Sequence, residues 1–198
     1  PAMQDQGFVW LPGKNQFRRS QEPGFQNLIL SVSPYEDLMI VDAHFGLRHE
    51  AIERVVGQFT RSLPGWQPDA HSLIISYGKL LGDPYRRFKA VDTDTLDRIV
   101  TKLLNVWTSV ALPFLEANHA LDQIDHLLND RPEEPTPYLH NQFHRCLRGI
   151  AAAKLCGRPG FETLHETYTT YLQRQAPGRP SPQLEAYLRL VDHLRRQG

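Results

Sequence analysis

Near Asp92 the rhythm of the chain changes. Before it, runs of apolar residues alternate with polar ones, and after it they recur at helical spacing for the rest of the sequence. Alternation marks strands that bury one face, and the 3.6-residue spacing marks helices that bury one stripe. A chain with the two rhythms segregated in this way is confined to the α+β class. Its 198 residues, 40 % of them apolar, suffice for a core that needs neither disulfides nor a structural metal.

Within the first part, residues 8–11 and 16–19 read as a short hairpin around Pro12, Gly13, Lys14 and Asn15. Longer strands are predicted over 26–33 and 38–47, and the linker between them is short enough to make them antiparallel neighbours. Ile52, Val55, Val56, Phe59 and Leu63 then follow the spacing of an amphipathic helix, stopped at Pro64 and Gly65. Two further strands are predicted at 72–78 and 86–91. The expected product is a mostly antiparallel sheet of about five to six strands packed on helices.

Successive strand residues point to opposite sides, so the faces can be assigned. Leu28, Leu30 and Val32 share one side of their strand, Met39, Val41, Ala43, Phe45 and Leu47 one side of the next, and Leu73, Ile75 and Tyr77 one side of a third. These sides are expected to meet the helices. The opposite sides carry Ser31 and Ser33, Asp42 and His44, Ser72 and Ser76, interrupted by Ile29, Ile40 and Ile74. With Phe17 and Phe88 turned inward, Arg18, Arg87 and Lys89 join them. Hydroxyls, a carboxylate, an imidazole and cations on one surface suit an anionic ligand or an acidic partner patch, although a plain solvated face is the commoner cause of such alternation.

Beyond Asp92 the stripe of Leu96, Ile99, Val100, Leu103, Leu104, Trp107, Val110 and Ala111 predicts a long helix from about Thr93, with Asp92, Thr93 and Asp94 as cap and first-turn residues. Pro113 interrupts it, and the apolar pattern continues through Leu128 as a kinked extension or a second helix. Pro132, Pro135 and Pro137 form a stiff linker. Helices are predicted at 138–156, 161–174 and 182–196, giving an expected division into a sheet-and-helix domain over 1–131 and a helical subdomain over 138–198 packed on it. Asp92 thus marks a seam within one packed unit.

The chain carries 22 basic and 22 acidic residues, so no net field draws it to nucleic acid or an anionic membrane. The charge is nevertheless segregated. Residues 92–137 hold nine acids and three bases, a balance of −6, and residues 138–198 hold four acids and nine bases, a balance of +5. Opposed segments of this kind are expected to face one another. Cys146 and Cys156 fall on one predicted helix, ten residues apart, and cannot bridge. Two unpaired thiols, no leader and no long apolar run give the expectation of a cytoplasmic protein that engages no membrane, with Pro1 and Ala2 read as a scar before Met3.

Metal and nucleotide motifs are weak or missing. Glu116 with His119 and Glu162 with His165 have the Glu-x-x-His spacing of di-iron bundles, but the helix predicted over 138–156 holds no acid to complete such a site. His140 and His144 stand at i, i+4 without the acids of a zinc motif. Neither a phosphate loop nor a dinucleotide fingerprint occurs. No metal or cofactor is therefore assigned. The basic and aromatic runs at Phe17, Arg18 and Arg19 and at Arg86, Arg87, Phe88 and Lys89 turn their rings inward, away from the cations, so nucleic-acid binding is disfavoured.

The Gly7-Phe8 pair, the Asn15-Gln16-Phe17-Arg18-Arg19 strand, two long strands, a helix, and then Arg87-Phe88 leading into a long amphipathic helix resemble an uncharacterised family of small bacterial α+β proteins. The resemblance covers about the first 130 residues, and it implies a fold and a bacterial source but no activity or catalytic residue. The leading expectation is a non-catalytic cytoplasmic binding protein that recognises a protein partner, in concrete form a toxin-immunity or antitoxin-like inhibitor. Its candidate binding residues are Arg18, Ser31, Ser33, Asp42, His44, Ser76, Arg87 and Lys89. The alternatives are a small hydrolase using Asp42 and His44 with Ser31, Ser33 or Ser76, and a helical peptide-binding scaffold beyond Pro137.

Overall fold

A computed structural model describes residues 2–60, 64–175, 177, 179 and 181–197. One helical turn, Ala2–Asp5 (α1), precedes β1 (Val9–Leu11), the 3-10 turn Pro12–Lys14 and β2 (Gln16–Gln21). Asn15 closes that turn in the left-handed region (φ 48°), which asparagine tolerates better than most residues. β2 pairs antiparallel with β3 (Gly24–Pro34), in a register running from Gln21 opposite Gly24 to Gln16 opposite Ile29. β4 (Met39–His49) follows a turn in which the Tyr35 N–H donates to the Leu38 carbonyl. The strand order is β1-β2-β3-β4-β5, with β5 at Leu73–Ser76, and β6 (Phe88–Ala90) pairs antiparallel with β4. This is the antiparallel sheet of the α+β class that the alternating rhythm predicts.

The chain gathers into two compact units. The first holds the chain up to Leu47 together with Ile74–Asn118, and the second holds Arg48–Leu73 together with the chain from His119 onward.

In the first unit the long helix is α4 (Thr93–Val106), continued through a π-helical turn, Trp107–Ala111, into α5 (Leu112–Ala117). Asp92 caps α4 by accepting the Thr95 N–H at 2.7 Å. Pro113 has no N–H to give and its ring crowds the preceding turn; the wide π turn lies just before it, and the helix continues without a break. The same turn carries Trp107, which is fully buried, edge-on to Phe8 at 4.8 Å and 6.1 Å from Phe45 of β4. Its indole N–H donates to Gln6 Oε1 at 2.7 Å, so its one polar atom is satisfied. Ile99, Leu103, Trp107, Ala111 and Leu115 are buried, but Val100 and Leu104 are exposed, so the buried stripe is narrower than the apolar one. Arg19 fastens this packing: its guanidinium donates to Gln26 Oε1 at 2.6 Å, Glu116 Oε1 at 3.0 Å and the Gln6 carbonyl at 3.3 Å.

Two expectations for the sheet change. Val32 shares a side with buried Leu28 but is 52 % exposed, because the far end of β3 runs beyond the core. Tyr77 is not on a strand: β5 ends at Ser76, and Tyr77–Leu80 forms the short helix α3. Ser76 causes the change, since its hydroxyl accepts the Lys79 N–H at 3.4 Å as a helix cap.

The second unit contains α2 (Glu50–Val56), a 3-10 segment Pro64–Asp69, α6 (Leu121–Asn129), α7 (Gln142–Leu155), α8 (Phe161–Gln175) and α9 (Pro182–Arg196). The helix predicted to run on past Phe59 ends at Val56; Leu63 and part of the 177–180 linker lie outside the described residues. α7 packs against α2, α6, α8 and α9, and Arg145 to Ala153 are all buried. Gly149 lets α6 and α8 approach it closely, since a β-carbon there would run into the Asn129 amide and the Tyr168 hydroxyl. Asn129 uses that space to donate to Asp125 Oδ1 at 2.6 Å and to the Gly149 carbonyl at 2.8 Å. Arg158 pairs with Asp125 at 2.6 Å and Asp130 at 3.0 Å, so the acidic and basic segments meet here.

Two arginines lie inside this helix layer. Arg148 donates through Nε and Nη2 to the two oxygens of Glu53 at 2.9 and 2.7 Å, and Glu53 Oε1 also accepts the Ser72 hydroxyl at 2.9 Å. Arg145 has a different counterpart. Its guanidinium donates to the carbonyls of Leu128, Arg131 and Pro132 at 2.8 to 3.0 Å, at and just beyond the C-terminal end of α6, where Leu128 also accepts the Tyr168 hydroxyl and Arg131 the Glu134 N–H, and it lies over the Tyr168 ring at 5.0 Å. Among the described residues no helix is long and apolar enough to cross a membrane.

Candidate functional site

The β4–β6 ladder of the first unit gathers the chemistry that the alternation places on one face. Met39 lies opposite Ala90, Ile40 opposite Lys89 and Val41 opposite Phe88. Paired residues point to the same side, so Lys89 shares the side of Ile40, Asp42 and His44. Arg87, one residue before β6, brings its Nε to 3.6 Å from Asp42 Oδ2, and His44 Nε2 lies 3.7 Å from the same oxygen. Those are ion-pair distances, too long for hydrogen bonds. The other oxygen of Asp42 accepts the Ala43 N–H at 2.9 Å.

Electrostatics favour a neutral imidazole here. Burial lowers the His44 pKa, Asp42 raises it in part, and Arg87 and Lys79 add to the lowering. His49, His144 and His165 are likewise lowered, burial being the first cause in each. Between about pH 6.5 and the lowered folded values, the unfolded chain binds protons that the folded chain does not, so stability rises with pH in that window. Urea midpoints measured at about pH 7.5, 6 and 5 should therefore fall progressively, before the carboxylates begin to titrate. Equal midpoints across the range would contradict this account of the four imidazoles.

The remaining candidates are placed as follows. Arg18 lies over the Phe25 ring at 3.9 Å and donates to Gln16 Oε1 at 3.3 Å. Ser76 is engaged as the cap of α3. Ser31 and Ser33 stand on the exposed end of β3, and Lys89 is exposed. Asp42, His44 and Arg87 are thus the members brought into mutual contact.

One part of the surface is invisible to the strand pattern. The turn before β4, the end of β6 and the start of α4 form an open notch of about 480 Å³, lined by Tyr35, Glu36, Asp37, Met39, Val91 and Asp92 among others. Three carboxylates face it and no cation does. Asp92 is already committed to capping, whereas Glu36 and Asp37 make no ion pair among the described residues. A bipolar surface results, with acids at the turn and Lys89 further along the strands, where Arg87 and Arg86 are paired with Asp42 and Asp83. Its signal in the sequence was available as two adjacent acids after an aromatic residue, between two strands.

The other chemical motifs are used in packing. Glu116 pairs with Arg19, Glu162 pairs with Arg195, and His165 stacks on Tyr187 at 5.7 Å. Burial pushes the Cys146 thiol up to about 12, which leaves it unreactive near neutrality. Among the described residues no three potential metal ligands are grouped. Comparison of the chain with protein families, curated proteins and solved structures finds no match.

Proposed function

We propose that this chain is a binding protein that recognises a protein partner through the β4–β6 surface of its first unit. The observation that carries this reading is exposed aromatic surface beside charge that the fold leaves unneutralised. Tyr35, at the notch with Glu36 and Asp37, is 62 % exposed, and Tyr85, two residues before Arg87 in the segment that leads into β6 and Lys89, is 91 % exposed. Tyrosine supplies large contact area at low conformational cost, and segregated charge steers a complementary partner and sets its register. The acidic notch suits a cationic segment. A protein that acts on nucleic acid presents such a segment, so an inhibitor of the immunity or antitoxin kind is the concrete form of the proposal.

A photo-crosslinking amino acid placed at 35 and at 85, in cells that express the protein natively, tests this. The same partner should be captured from both positions and not from position 155 in the second unit. Capture of no common protein would overturn the reading. A small hydrolase is the second reading, favoured by the Asp42 and His44 contact; it requires that His44→Ala abolish turnover of an ester or phosphate while leaving the fold intact.

A further inference from the structure

The second unit holds a cavity of about 300 Å³ beyond the end of α2, between the first turns of α7 and α9, with Phe59, Thr60, Phe143, His144, Gln183 and Arg189 among its lining residues. Its size lies at the lower end of the range for small-molecule sites. Its walls are aromatic on two sides. Phe59 packs on His193 at 5.3 Å and Phe143 beside His144 at 5.4 Å, which holds both rings in place.

Among the described lining residues Arg189 is the one arginine or lysine. Arg145, Arg148, Arg158 and Arg195 are all engaged by acceptors within this unit, whereas Arg189 is exposed and has neither an ion pair nor a side-chain hydrogen bond among the described residues. The other titratable lining group, His144, is held towards its neutral form by burial. At the two helix starts Asn141 Oδ1 accepts the Phe143 and His144 N–H groups and Ser181 Oγ accepts the Leu184 N–H. Among the described residues of the lining, Arg189 therefore supplies the positive charge, in a guanidinium fork that matches a carboxylate. The Asn141, Thr60 and Gln183 side chains leave polar groups at the rim.

We propose that this cavity binds a small aromatic monocarboxylate, its ring against Phe59 and Phe143 and its carboxylate on Arg189. One guanidinium balances one carboxylate and leaves a phosphate dianion half neutralised, and two phenylalanines favour a ring over a straight chain. The residues involved belong to the second unit and take no part in the proposed partner surface, so the two proposals fail separately.

The full-length protein is titrated with 3-phenylpropionate, its neutral amide and hexanoate, following backbone amide resonances of residues 141–144 and 182–189. Saturable shifts with 3-phenylpropionate are expected, with affinity at least about tenfold weaker for the amide and weaker for hexanoate. Arg189→Gln, on an exposed helix position, should keep the thermal midpoint and lose at least about tenfold in affinity, and Arg189→Lys should recover only part of it. Absence of saturable shifts, equal binding by Arg189→Gln, or equal binding of the amide would overturn the proposal. Hexanoate binding as tightly as 3-phenylpropionate would overturn its aromatic half.

Discussion

Arg148→Met should destabilise the protein by about 3–5 kcal/mol, the cost typical of removing one partner from a buried ion pair. Glu53 is only 2 % exposed at its side chain and would keep its charge with the Ser72 hydroxyl as its remaining side-chain donor. The pair itself contributes less than its breakage suggests. Combining Glu53→Met with Arg148→Met removes both desolvated charges, and the double variant should be more stable than Arg148→Met alone. Urea unfolding with unchanged slopes measures both. A double variant less stable than the single one would contradict this assignment.

The second large effect is expected at Arg145, which is 2 % exposed and faces backbone carbonyls where Arg148 faces a carboxylate. α6 ends at Asn129, and the chain then turns into the proline segment, leaving the Leu128, Arg131 and Pro132 carbonyls pointing inward without helical partners. A guanidinium satisfies all three at once, and its positive charge suits the negative end of the helix. Arg145→Met should therefore cost about 2–3 kcal/mol, because the Pro132 carbonyl loses its donor and the Leu128 and Arg131 carbonyls keep only the Tyr168 hydroxyl and the Glu134 N–H. Arg145→Lys should recover little, because an ammonium lacks the planar fork that spans three carbonyls. Loss of order should be seen first in 128–137, as faster amide exchange there than elsewhere in the unit. An Arg145→Met variant within about 0.5 kcal/mol of the parent would show that water replaces the guanidinium without penalty.

The difference between these arginines and the polar sheet face explains what the sequence made legible. Asp42 and His44 lie two residues apart on a strand whose other side is continuously apolar, so their shared face follows from the pleat alone, and the side of Lys89 follows once β6 is placed. The long helix from Thr93 was equally readable, because its stripe and its Asp92 cap are local. Pairings across the chain are not local. Glu53 and Arg148 are 95 residues apart, and each looks like an ordinary polar residue of its own helix until α2 and α7 are brought together. Tyr77 reads as a strand residue because the apolar alternation runs through it, and the Ser76 capping bond that ends the strand has no alternation signature. The 35–38 turn shows only its length in the sequence, and the notch it forms with Val91 and Asp92 depends on residues more than 50 positions away. Likewise, that Arg189 lines a cavity and has neither an ion pair nor a side-chain hydrogen bond among the described residues is a property of the fold rather than of its neighbours in sequence.

Partner recognition through the acidic notch is tested most directly by reversing its uncommitted charges. Glu36→Lys combined with Asp37→Lys alters two exposed turn residues, so thermal stability should change little. Titrated calorimetrically against the partner captured at positions 35 and 85, the variant should bind at least about tenfold more weakly than the parent, with the gap narrowing at high salt. Equal affinity of variant and parent at low salt would contradict the claim that this notch is where the partner is recognised.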